Sequence, residues 1–223
     1  MKSRLIVPLI FALAGASPGL AGTSHTTHAA QCPPTPISAV KPIGMECAIL
    51  ARTQFTRLPK PPVVFRLETF STLQSARTSQ TAAGAIVRAA GKIWVVSVAT
   101  RGQSSNTGVL VSQIGPLSIA PARKYQLTVA EGNFGPDAFN APHTHHGPEG
   151  WYLLTGAQCI EFDGGRIIKV SAGQSAFVPG DTPMSLTFLR RRDALFMVIG
   201  NAARPWNSLS SWKPRGLCKG TAR

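Results

Sequence analysis

Acidic side chains are scarce in this chain of 223 residues, which has 9 Asp and Glu against 23 Lys and Arg. Charged residues of both signs make up only 14% of the sequence, a composition that does not fit a disordered chain. No long stretch shows helical periodicity, which argues against a helical bundle. The 21 Gly and 18 Pro instead indicate a turn-rich globular protein, and the length suits one medium-sized domain.

Long hydrophobic runs are also absent. The apolar stretch at residues 5–16 is shorter than the roughly 20 residues that a membrane-spanning helix needs. It follows two basic residues and precedes small ones, the pattern of a secretory signal peptide. Cleavage after residues 19–21 fits best, with residues 14–16 as the alternative site. We therefore expect residues 1–21 to be removed and the protein to be exported, periplasmic or extracellular, with no membrane span.

The excess of basic residues bears on the expected partner. The net charge falls from +14 to +12 when Lys2 and Arg4 leave with the signal peptide. Export and the scattered bases, clustered only at residues 190–192, argue against nucleic acid. A small, anionic ligand or an anionic surface is the better candidate. A charge that only keeps the protein soluble is the simpler interpretation. The sequence leaves a homodimer open.

The chain has only four cysteines, all beyond the signal peptide. An even number in an oxidising compartment predicts two disulfides, and three connectivities exist. We expect Cys32–Cys47, within one Pro-rich segment, and Cys159–Cys218, which attaches the C-terminal tail to the domain. A free, buried Cys159 is the alternative.

The segment order predicts an extended arm at residues 22–62, a β domain at residues 63–205 and a tail at residues 206–223. The arm is rich in Thr, Ser, Ala and Pro and lacks periodicity. Within the domain, short β-branched and aromatic segments predict strands at 63–70, 85–88, 93–100, 108–111, 117–119, 125–129, 151–154, 158–162, 166–170, 175–178, 185–189 and 194–199. Closely spaced short strands indicate a sandwich or a closed barrel.

The segment 142–152 contains three of the five histidines. Side chains alternate along a strand, so His143 and His145 point to one face and His146 to the other. A Gly-Pro bend follows, and Glu149 begins the next strand. Two imidazoles and a carboxylate form a set that suits Fe, Mn, Zn, Ni or Cu and leaves coordination positions open. His143, His145 and Glu149 are therefore the candidate metal ligands, and Glu149 is the candidate catalytic base.

These residues resemble a known family. The pattern His-x-His-x3-Glu-x6-Gly at residues 143–156 is similar to the first motif of the cupin superfamily, and Gly-x5-Pro at residues 173–179 resembles the start of the second. The sequence Gly-Pro-Glu-Gly-Trp-Tyr at residues 147–152 looks like that of small bacterial cupin-domain proteins. The resemblance implies a jelly-roll barrel, the double-stranded β-helix, often with a central divalent metal. It suggests a metal-dependent dioxygenase or isomerase, with a non-catalytic ligand-binding or structural protein as the alternative.

The chain departs from the cupin pattern in two ways. The Gly that usually precedes the first His by about five residues has no counterpart, since Gly135 comes too early. The second departure lies near the third metal-binding position. Met184 stands where the pattern has a third metal-binding His, and Phe188 replaces the usual Asn. A thioether is a weak ligand for Mn²⁺ or Fe²⁺ and a better one for copper. Met184 is therefore expected to point into the barrel beside the two histidines. It leaves a three-ligand site, a copper site or a barrel without metal.

Overall fold

The computed structural model describes residues 46–135 and 139–219, which form antiparallel sheets and one short helix. The strands are β1 (Glu46–Phe55), β2 (Val63–Phe70), β3 (Gly84–Ala89), β4 (Lys92–Thr100), β5 (Val109–Ile114), β6 (Tyr125–Phe134), β7 (Phe139–Thr144), β8 (Glu149–Leu153), β9 (Ala157–Phe162), β10 (Ile167–Ser171), β11 (Ser175–Val178), β12 (Met184–Arg190), β13 (Arg192–Asn201) and β14 (Ser208–Leu209). The helix is α1 (Leu73–Ser79). The predicted signal peptide lies outside the described residues.

Two five-stranded sheets pack face to face. The first has the order β1-β6-β13-β8-β11 and the second the order β10-β9-β12-β7-β14. The chain crosses between them at nearly every connection after β6, which is how a jelly roll is wound. Phe134, Trp151 and Phe196 from the first sheet meet Phe162 and Phe188 from the second in one core. The predicted all-β, cupin-like fold is confirmed.

A third sheet, ordered β3-β4-β2-β5, covers the other face of the first sheet. The first sheet therefore contributes to two cores, one on each face, as strand β13 illustrates. Leu195 and Met197 pack with Phe65 of the third sheet, whereas Ala194 and Phe196 face the jelly-roll interior. Strands buried on both faces have no polar side, so β13 is almost continuously apolar. No helix in the described residues is long and apolar enough to cross a membrane.

Three local predictions need correction. Residues 46–55, predicted to belong to the arm, form β1, which pairs along β6 from Cys47 opposite Gly132 to Phe55 opposite Tyr125. This strand is only half-buried and has few large apolar residues, which hid its period. Residues 117–119 form no strand, and α1 was not predicted. The remaining domain boundaries stay predictions.

Candidate metal centre

Strand β7 and the residue after it carry two histidines into the jelly-roll interior. His143 and His145 are 3% and 4% exposed, whereas Thr144 and His146 between and after them are half-buried. The imidazole centroids of His143 and His145 lie 5.0 Å apart, with their planes nearly perpendicular at 86°. The alternation predicted from the sequence therefore places these two rings side by side on one face.

A tight turn brings Glu149 to the same place. Gly147 lies so close to β13 that a Cβ atom at this position would overlap the carbonyl oxygen of Ile199. Only glycine allows this approach. Strand β8 then starts at Glu149, which pairs with Val198 of β13 and is buried. Gly147 thus determines where β8 begins along β13, and so where the Glu149 carboxylate enters the interior.

The three predicted ligands converge. One ligand atom from each of His143, His145 and Glu149 lies within 4.8 Å of the other two. The arrangement agrees with the strand parity read from the sequence. Such a spacing allows one ion to contact all three atoms, since metal–nitrogen and metal–oxygen bonds are about 2.0–2.2 Å long.

Backbone carbonyls orient both imidazoles. Nδ1 of His143 lies 2.8 Å from the carbonyl oxygen of Ala141, and Nδ1 of His145 lies 2.7 Å from that of Trp206. A carbonyl oxygen only accepts hydrogen bonds, so each Nδ1 must carry the proton. Both Nε2 atoms are then left to bind a proton or a metal. This is the support that metal-binding histidines generally receive from their surroundings.

The contact between His145 and Glu149 requires a proton or a metal ion between the two side chains. Nε2 of His145 lies 3.0 Å from Oε2 of Glu149, and both atoms are buried. Neither has a further hydrogen-bond partner among the described residues. An imidazole lone pair facing a carboxylate oxygen would repel it, so a proton or a metal ion has to lie between them. A proton there is shared by the two side chains, and a metal ion would bind both.

The two histidines have opposite acid–base behaviour. Burial, and secondarily the charge of His145, lower the pKa of His143 from 6.5 to about 4, against the raising effects of Glu149 and the Ala141 carbonyl. Burial also lowers the pKa of His145, but Glu149 and the Trp206 carbonyl outweigh it and raise the pKa overall. His143 is therefore a neutral ligand at neutral pH, whereas His145 keeps a proton to higher pH than an ordinary histidine, and a metal ion would have to replace that proton.

Met184 occupies the position that the sequence predicts. It is 1% exposed and lies directly opposite His143 in the β7–β12 pairing, so both side chains project to the same side of the sheet. It packs into the jelly-roll core with Leu186 and Trp151. Beside the imidazoles there is thus an apolar thioether where the cupin pattern has a third His.

His146 stays outside the centre. Its Nδ1 lies 2.9 Å from Oδ1 of Asp181, and its Nε2 lies 3.3 Å from the hydroxyl oxygen of Ser208. The sequence places this residue on the opposite face, and the structure agrees. His146 therefore offers a control for the two inward-facing histidines.

The C-terminal tail supports the centre in a way that sequence reasoning missed. Its Trp206 carbonyl holds His145, and β14 pairs with β7 so that Leu209 lies opposite His143. The predicted Cys159–Cys218 disulfide is confirmed, with 5.7 Å between its Cα atoms. Cys32 lies outside the described residues, so its pairing with Cys47 stays a prediction.

Glu161 anchors the same tail. Glu161 is only 2% exposed, because the tail covers it. Its Oε1 accepts a hydrogen bond from the backbone N–H of Arg215, and its Oε2 accepts one from the N–H of Leu217 at 2.8 Å. Backbone donors carry no sequence signal, which is why this role was not predicted.

No protein-family model and no curated protein matches the chain. A cupin superfamily protein from Desulfitobacterium hafniense aligns over 34% of this chain and 68% of its own, with 16% identity and a TM-score of 0.32. A DMSP lyase from Ruegeria pomeroyi aligns over 40% and 45%, with 20% identity and a TM-score of 0.35. A variant of oxalate decarboxylase from B. subtilis aligns over 38% and 24%, with 20% identity and a TM-score of 0.34.

The structural neighbours are cupin-superfamily proteins. They align with about a third of the chain at low identity, and the chain spans less than half the length of the lyase and of the decarboxylase.

Proposed function

We propose that this chain is an exported protein that binds one divalent metal ion through His143, His145 and Glu149. The observation that carries the proposal is the buried contact of His145 with Glu149, in which Nε2 and Oε2, two candidate metal-ligand atoms, lie 3.0 Å apart. Burying an ionised carboxylate without a bound cation is costly. A metal ion satisfies the carboxylate and both Nε2 atoms at once.

The donor set limits the metal. Two imidazole nitrogens and one carboxylate oxygen suit Fe, Mn, Zn, Ni or Cu and leave positions open for a further ligand. Met184 supplies no strong fourth donor to a hard metal. The protein residues therefore hold one side of the ion and leave the other for a bound molecule.

We propose further that the centre serves a dioxygenase or isomerase reaction on a small, oxygen-rich molecule. A bound metal of this kind supplies Lewis-acid polarisation or activates O₂. Glu149 is the candidate base, because its Oε2 meets only His145 among the described polar groups and, on leaving the metal, would accept a proton from a molecule beside it. The aromatic lining given by Trp151, Phe162 and Phe196 would keep water away from the reacting groups.

Non-catalytic ligand binding is the second candidate. Its supporting observation is Met184, which places an apolar side chain where the cupin pattern has a metal ligand. In that case the interior would still hold a small molecule, and the metal would be weakly bound or absent.

Export is proposed from residues 1–21, which lie outside the described residues. The Cys159–Cys218 disulfide supports it, because such bonds persist in oxidising compartments.

Cobalt substitution tests the open coordination positions. The full chain, prepared without metal, is loaded with Co²⁺, and its visible spectrum is recorded before and after addition of azide. The proposal predicts one bound Co²⁺ and a spectrum that azide changes. A Glu149→Gln variant should alter the starting spectrum, whereas His146→Ala should not. A bound ion whose spectrum azide leaves unchanged would contradict an open site, whereas failure to bind Co²⁺ would favour the second candidate.

A further inference from the structure

A buried cation lies in the same interior as the candidate metal centre. Arg192 begins β13 and is 1% exposed, whereas Arg190 and Arg191 before it are solvent-exposed. Its guanidinium carbon lies 4.7 Å from the ring centre of Phe134 and 4.4 Å from that of Phe188. The basic cluster read from the sequence at residues 190–192 is therefore split, and its last member points into the aromatic core.

Arg192 has no counter-ion there. It forms no ion pair among the described residues, and its Nε and Nη1 atoms are buried without a hydrogen-bond partner. Burial lowers its pKa to about 9, against the raising effects of the Glu149 and Asp193 charges, neither of which lies within ion-pair distance, so the side chain stays charged at neutral pH. A buried guanidinium of this kind is rare, because the N–H donors on its Nε and Nη1 atoms have no acceptor.

Gln158 adds a second incomplete polar group next to it. This residue of β9 is fully buried, and neither its Oε1 nor its Nε2 has a hydrogen-bond partner in the described part of the chain. Its cross-strand partner on β12 is Phe188, the ring that Arg192 contacts. Buried amides are almost always hydrogen-bonded. Two unsatisfied polar side chains thus border the same aromatic ring.

The missing partner is best described as a carboxylate. A guanidinium forms strong, charge-assisted hydrogen bonds to carboxylate oxygens, and the Nε and Nη1 atoms of Arg192 both lack a partner. One negative charge would neutralise the one buried positive charge. The Gln158 amide can donate to the same group. A phosphate would bring a second charge and a larger hydration shell into a core lined by Phe134 and Phe188.

We propose that Arg192 and Gln158 form a subsite that binds the carboxylate of a small organic acid. Arg192 and Val198 both lie on β13, and Val198 pairs with Glu149. Arg192 and Glu149 therefore face the same jelly-roll interior at different positions along β13. A molecule anchored by its carboxylate at Arg192 extends along this interior toward His143, His145 and Glu149. That second half rests on the proposed metal site, whereas the carboxylate subsite stands without it.

Acetate and acetamide test the subsite, because they have the same shape and differ in charge. Binding to the full, metal-free chain is measured by NMR titration in a buffer without carboxylates. Acetate should bind roughly ten- to a hundredfold more tightly than acetamide, the range that hydrogen bonds to charged groups span. Arg192→Met should abolish the difference, Gln158→Leu should reduce it, and Arg190→Met should preserve it.

Thermal unfolding separates ligand binding from a purely structural role. If Arg192 serves a ligand, Arg192→Met removes an unpaired buried charge and leaves the melting temperature unchanged or higher. If Arg192 only stabilises the core through Phe134 and Phe188, the same variant melts lower and wild type does not distinguish acetate from acetamide, which overturns the subsite. Metal binding without acetate binding contradicts the subsite alone. Acetate binding without metal binding contradicts the proposed metal site and leaves the subsite standing.

Discussion

The carbonyl oxygen of Trp206 accepts a hydrogen bond from Nδ1 of His145, across 61 positions of sequence, at 2.7 Å. The indole of Trp206 also lies against this imidazole, with 5.4 Å between ring centres. One residue of the tail therefore fixes both the tautomer and the orientation of a candidate ligand. The centre depends on a segment that contributes no ligand of its own.

Removal of the tail should weaken metal binding. A chain ending at Pro205 lacks the Trp206 carbonyl, and we expect its metal affinity to fall about 10- to 100-fold, the usual effect of losing such a supporting group. A chain ending at Leu217 keeps Trp206 and loses the disulfide, so it should retain near-normal affinity at a temperature where it is folded. Titration against a competing chelator makes the comparison. Equal loss in both truncated chains would argue against the role of Trp206.

His143 should make the metal-free protein less stable in acid. Its pKa is about 4 in the fold against 6.5 ordinarily, so between these values the unfolded chain binds a proton that the folded chain does not. Stability then rises with pH across this window, by up to about 3 kcal/mol. His145 acts in the opposite sense, because its raised pKa stabilises the fold at low pH and that contribution is lost as pH rises above 6.5 through its folded pKa.

Urea unfolding at several pH values between 4 and 6.5 checks this prediction. His145 is protonated in both states at the lower end of the window, so a comparison of wild type with His143→Gln isolates His143 there. The free energy of unfolding should rise more steeply with pH in wild type than in the variant. Parallel curves would mean that His143 titrates normally in the fold.

Glu161 should stabilise the docked tail. Replacing Glu161 with Gln weakens two charge-assisted hydrogen bonds to the backbone of Arg215 and Leu217. We expect a loss of about 1–3 kcal/mol in the free energy of unfolding. Asp163→Asn is a matched control, because Asp163 is exposed and its side chain accepts a hydrogen bond from the adjacent Gly164 N–H. Equal stabilities of the two variants would show that the tail does not depend on Glu161.

Met184 offers a direct way to change the chemistry of the centre. Because Met184 lies opposite His143, Met184→His should bring a third imidazole to the site and tighten Fe²⁺ or Mn²⁺ binding. If the natural site prefers copper, the same change should instead weaken Cu(I) retention relative to other metals. Parallel titrations of the two proteins distinguish these results. Negligible binding by both would leave only the ligand-binding and structural candidates.

Much of the site was predictable because it is local. Alternation along one strand fixes the faces of His143, His145 and His146, and the glycine-containing bend brings Glu149 back within a few residues. The limits of β2 and β11 were also predicted from the sequence.

The missed features depend on distant pairings. The Trp206 carbonyl and the donors to Glu161 are backbone groups, which any residue type supplies. Arg192 looked like part of an exposed basic run, because its inward direction is set by the pairing of β13 with β6. Strand β1 is stabilised by its pairing with β6 more than by its own apolar residues. Such pairings have no signature within a single segment.

The metal content of the purified chain tests the central claim most directly. Protein isolated after export, without a nickel column, is analysed for metal by mass spectrometry alongside His145→Ala, Glu149→Gln and the outward-facing control His146→Ala. We predict close to one equivalent of a transition metal in wild type and in His146→Ala, and a large loss in the other two. Wild-type protein that contains no metal and takes up none on titration would contradict the account.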